Sequence, residues 1–74
     1  MEMTISLDTI DKVKSFVNAI FRFPGEADLS SGRYTVDAKS IMGIFSLDLS
    51  NPVTLKLEGA PDTALREELK RYCV

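Results

Sequence analysis

Apolar residues along this chain change their spacing five times in 74 residues, from every second position to every third or fourth and back. A period of two buries one face of a strand and a period near 3.6 buries one stripe of a helix, so the order of periods is the order of elements. Met3, Ile5 and Leu7 alternate with Thr4 and Ser6, which predicts a first strand. Ile10, Val13, Val17 and Ile20, with Phe16 beside them, predict a helix on one buried stripe that opens at Asp8 or Thr9 as N-cap and runs to Phe23, before Pro24-Gly25. Segments around Ala27–Leu29 and Arg33–Val36 predict a hairpin turning through Ser30-Ser31-Gly32, with Tyr34 and Val36 on one face. Ile41, Ile44 and Phe45 place a short second helix within Lys39–Leu47, with Ser40 at its start. Val53, Leu55 and Leu57 alternate with Thr54, Lys56 and Glu58 as a further strand. A last helix runs from Thr63 to about Cys73 with Leu65, Leu69 and Tyr72 on its stripe, Asp62 near its positive end and Lys70 and Arg71 near its negative end.

The order strand, helix, strand, strand, helix, strand, helix leaves each helix one apolar stripe, enough to cover one face of a sheet. An α+β protein of two layers is expected. No linker, repeat or low-complexity segment divides residues 1–74, so a single domain is expected. A domain this short buries only about 60% of its unfolded surface, which leaves a modest stability margin. Its 45% hydrophobic and 27% charged residues nevertheless predict an ordinary globular fold and not disorder.

Charge and residue types exclude several functions. Net charge is −2, and the nine Lys and Arg residues form no cluster, so nucleic-acid binding is not expected. There is no histidine and only one cysteine, too few ligands for a zinc or redox centre. Cys73, near the end of an amphipathic helix, is expected as a buried or half-buried thiol in a reduced, cytoplasmic setting. No apolar run approaches the ~20 residues that span a bilayer, and the N-terminal residues do not resemble a signal peptide, so neither membrane association nor secretion is expected. No phosphate-cradling glycine loop, paired cysteines or nucleophile elbow is present, and no enzymatic activity or cofactor is expected.

The stretch Val36-Asp37-Ala38-Lys39-Ser40-Ile41-Met42-Gly43-Ile44-Phe45-Ser46-Leu47 resembles the region around the regulatory serine of HPr, the phosphocarrier family of the bacterial sugar phosphotransferase system. Lys39-Ser40-Ile41-Met42-Gly43 sets the register. The helix ending in Phe21-Arg22-Phe23 and the strand before Gly59-Ala60-Pro61-Asp62 fall where that family has its corresponding elements, so the likeness covers nearly the whole chain. It implies an HPr-like open-faced sandwich, βαββαβα, with a four-stranded antiparallel sheet of order 1-4-2-3 and three helices on one face.

The resemblance also implies where function should lie. The family carries phosphate on a histidine at the start of the first helix, with an arginine two positions later; aligned back from Ser40, those positions hold Thr9 and Asp11. A carrier needs a nitrogen nucleophile with a labile phosphoramidate and a cation to steady the transferring charge. A threonine phosphoester is too stable to hand on readily, and Asp11 repels phosphate where the family attracts it. Ordinary helix-start chemistry accounts for an N-cap at Asp8 or Thr9 and an acid at Asp11 without any catalytic role.

Ser40 matches the serine that a dedicated kinase phosphorylates in some HPr-type proteins, whose modified form then binds a transcriptional regulator. The catabolite-repression HPr-like subgroup lacks the histidine and keeps this serine, and the chain is similar to it in both respects. A plain helix cap is the alternative role for Ser40. Core packing is expected to take Ile41, Ile44 and at least one neighbour. The candidates for partner contact are Ile41, Met42 and Phe45, with Met42 and Phe45 foremost. The function expected is therefore a non-catalytic interaction or regulatory module whose protein partner is a kinase, a regulator or a phosphotransferase-system component. The alternative is a divergent phosphocarrier using Thr9, Asp8 or Asp11 as a non-histidine acceptor.

Overall fold

The computed structural model describes residues 1–74. The elements follow in the order β1 (Glu2–Ile5), α1 (Ile10–Ile20), β2 (Ala27–Ser31), β3 (Tyr34–Asp37), α2 (Ile41–Phe45), β4 (Val53–Leu57) and α3 (Thr63–Leu69), which continues as a 3₁₀ turn over Lys70–Tyr72. All strand pairs are antiparallel and their order is β1-β4-β2-β3, the architecture that the resemblance to HPr implies.

Register explains why one side of the sheet is covered and the other is open. Met3, Leu55, Leu29 and Val36 lie in one row across the four strands, on the face that carries the core. The next row is Glu2, Lys56, Asp28 and Asp37, which puts a cation between carboxylates on the solvent face. Beneath the helices lies a core of 19 buried apolar residues, among them Ile5, Val13, Phe16, Ile20, Leu29, Ile44, Leu55 and Leu69 at 0% exposure. Phe16 of α1 meets Tyr72 edge to face, with ring centroids 5.8 Å apart at 87°, and so ties the first helix to the end of the chain.

Several boundaries differ from the sequence expectation. β1 ends at Ile5 and not Leu7, because the Ser6 N–H donates to the Tyr72 carbonyl at 2.8 Å and leaves the ladder. Ile10 is 62% exposed, since it begins α1 ahead of the turns that reach the core. The helix closes at Phe21, where 3₁₀-type bonds from Arg22 and Phe23 tighten its end; Phe23 itself is buried. The hairpin turns on Gly32-Arg33, while Ser30 and Ser31 stay in β2. Gly32 has φ +59° and Arg33 a negative φ, the two-residue geometry that starts on glycine. Tyr34 and Val36 do share a face, but Tyr34, next to the turn, is exposed while Val36 packs against the core.

α2 is limited to Ile41–Phe45, and neither Met42 nor Phe45 joins Ile44 in the core. The Cys73 thiol is exposed, contrary to expectation. The chain leaves the 3₁₀ turn before it, and Cys73 lies extended beside Ile5, so its side chain is not on the helix stripe. No helix is long and apolar enough to cross a membrane.

Candidate functional site

Two helix starts carry the candidate residues, and α1 and α2 pack against one another. Thr9 is the N-cap of α1: its backbone is extended, and its Oγ1 accepts the Lys12 N–H at 3.1 Å. Asp11 lies exposed in the first turn, where the partial positive charge of a helix start favours a carboxylate. One turn of helix brings Lys12 Nζ within 2.9 Å of Asp8 Oδ1. That hydrogen bond, reinforced by the ammonium charge, holds the Asp8 carboxyl below its ordinary range. The cation nearest in sequence to Thr9 is therefore already engaged by a carboxylate, Asp11 between them is negative, and the next cation, Lys14, is exposed and joins no ion pair. This end of α1 offers an alcohol between two carboxylates, Asp8 and Asp11, and no imidazole.

Ser40 is built differently. It is half-buried and caps α2, its Oγ accepting the Gly43 N–H at 3.2 Å. A Cβ at position 43 would lie 3.3 Å from both Ser40 Oγ and Val36 Cβ, so glycine there leaves room for the cap beside β3. Upstream, the Asp37 carbonyl accepts the Ser40 N–H at 3.0 Å and Asp37 Oδ1 accepts the Lys39 N–H at 2.9 Å. The Lys39 ammonium donates to the carbonyls of Phe23 and Gly25 at 2.6 and 3.2 Å. Lys39 thus joins the loop after α1 to the residue before Ser40. Nothing in the local pattern signals this role, because both partners are backbone carbonyls at least 14 positions away.

On α2, Met42 is 78% and Phe45 44% exposed, whereas Ile41 is half-buried against the core. The helix therefore presents two apolar side chains to solvent immediately after Ser40, with Ile41 at their margin. No hydrogen bond or ion pair joins Thr9 or Asp11 to Ser40; the two helix starts are chemically separate.

Solved structures share this architecture. HPr-C-His from Thermoanaerobacter tengcongensis matches with a TM-score of 0.78 and 29% sequence identity over 96% of this chain and 88% of that one. A phosphocarrier protein HPr from Bacillus anthracis strain Ames matches with a TM-score of 0.71 and 28% identity over 100% of this chain and 94% of that one. No protein-family model and no curated protein matches the chain. The fold is that of HPr phosphocarriers.

Proposed function

We propose that this protein is a non-catalytic, single-domain HPr-like interaction module of the cytoplasm, controlled by phosphorylation at Ser40. The observation that carries this reading is the pairing of a capping serine with the exposed Met42 and Phe45 within the short helix it caps. A phosphoserine adds about −1.5 to −2 charge, and at a helix start its oxygens can keep the Gly43 N–H satisfied while changing the charge beside the apolar pair. The partner would read that apolar pair and the adjacent phosphate together, which suits a kinase, a transcriptional regulator or a component of the phosphotransferase system.

The start of α1 supports the absence of a carrier role. Thr9 is committed to capping, Lys12 is paired with Asp8, and Asp11 places a negative charge where a transferring phosphoryl group needs a cation.

Incubation with a bacterial HPr kinase and ATP, followed by mass spectrometric mapping, is expected to place phosphate on Ser40 and none on S40A. An unlabelled Ser40 would remove the regulated form of the proposal. Enzyme I with phosphoenolpyruvate tests the alternative: label that is gained and released within minutes at Asp8, Thr9 or Asp11 would restore a carrier role.

A further inference from the structure

The two edges of the sheet are treated differently. Along β1 the C-terminal segment continues the hydrogen bonding: Ser6 N–H donates to Tyr72 O, Val74 N–H donates to Thr4 O at 3.3 Å, and Ile5 bridges to Cys73. β3 ends the sheet on the other side with no strand paired beyond it.

Register shows which groups that edge presents. The two-residue turn makes Ser31–Tyr34 a hydrogen-bonded pair, and antiparallel alternation makes Leu29–Val36 the next one. The Ala38 N–H, donating to Ala27 O at 2.9 Å, continues the same phase. The N–H and C=O groups of Thr35, and the N–H of Asp37, therefore point outward. Arg33, exposed and in no ion pair, stands two residues before Thr35, and Asp37 stands two residues after it.

We propose that the free edge of β3 is a self-association surface on which a second copy of this chain pairs antiparallel about Thr35. In that register Thr35 exchanges both backbone hydrogen bonds with Thr35 of the other copy. Arg33 then faces Asp37 at each end, and the exposed Tyr34 lies opposite Val36 on the helix side. Pairing one step to either side loses overlap and leaves charges unmatched. The strand is self-complementary in backbone phase, charge and apolar content at once. With only four residues in the strand, the interface falls well below the roughly 1,000 Å² of a stable dimer, so association is weak and needs high concentration. The edge borders the Ser40 segment, because Asp37 accepts the Ser40 and Lys39 N–H groups, but the pairing does not rest on the function proposed above.

Sedimentation velocity from micromolar to low-millimolar protein is expected to show wild type moving from monomer toward dimer. R33E and D37K each put like charges at both ends of the paired strands and are expected to weaken association roughly tenfold. An equimolar mixture of R33E and D37K restores an opposite-charge pair at each end and is expected to associate better than either alone. T35P, which removes an outward N–H and spares the β2 ladder, is expected to stay monomeric with an unchanged circular dichroism spectrum. A wild type that remains monomeric throughout, or a mixture that associates no better than its parts, overturns the proposal.

Discussion

The Lys39 ammonium lies 2.6 Å from the carbonyl oxygen of Phe23. It is half-buried, and its second bond, to Gly25, lets one side chain hold the loop after α1 against the segment that leads into Ser40. Hydrogen bonds from a charged group contribute about 1.5–3 kcal/mol, and their loss leaves carbonyls without a donor. K39M, which keeps the aliphatic stem, is expected to lower unfolding free energy by about 2 kcal/mol in urea titration. A loss under about 0.5 kcal/mol would mean that water replaces the ammonium without cost.

The Ser40 cap gives a second expectation. Replacing a capping serine by alanine costs about 1 kcal/mol, whereas aspartate caps as well as serine. S40A should therefore lower stability by about that amount and S40D should leave it near wild type, read from thermal unfolding. This pair separates the cap from the switch: S40D destabilised as much as S40A would show that a negative charge is not tolerated at this helix start, against the proposed phosphorylation.

Acid should weaken the fold through at least two carboxylates. Asp8 is held below its ordinary value of 3.8 first by its hydrogen bond with Lys12 and then by the ammonium charge. Asp48 is held below that value by hydrogen bonds from the Ser50 hydroxyl and N–H, with a further contribution from Asn51. A carboxyl with a lowered folded-state pKa binds protons less readily folded than unfolded. Its stabilisation is fully present above the unfolded value and is lost as pH falls through the folded one. The urea midpoint is thus expected to hold from pH 7 to about pH 5 and to fall below that. D8N/D48N should flatten the fall; a double variant as acid-sensitive as wild type would assign the effect to other groups.

How far the sequence reveals this molecule depends on the range of each interaction. β4 was legible to within one residue because Val53, Leu55 and Leu57 are buried on one face while Lys56 is solvated on the other; only Glu58 falls outside the strand. The hairpin was legible but its turn was not: Ser30 and Ser31 have turn-forming side chains, yet the conformation is decided by Gly32 at positive φ. Ile10 and Cys73 failed for a shared reason, since periodicity describes a helix stripe and both lie where the helix has not met the core or has already ended. At the site, the caps at Thr9 and Ser40 were visible as local chemistry. Lys39 was not, because its partners are main-chain atoms brought near only by the packing of α1 beside α2.

The short α2 helix supplies the sharpest contrast between packing and display. Ile44 is fully buried while Met42, two positions before it, is 78% exposed. Truncating a buried isoleucine removes transfer energy and leaves a cavity, at a cost of about 2–5 kcal/mol, so I44A should unfold at much lower denaturant. M42S removes a side chain that water already surrounds, and its stability should stay within about 0.5 kcal/mol of wild type. F45S should fall between them, since Phe45 keeps more than half of its surface covered at 44% exposure. M42S is thus the variant that can test partner binding without disturbing the fold. If it were destabilised as much as I44A, Met42 would belong to the core and the apolar pair beside Ser40 would not be available for recognition.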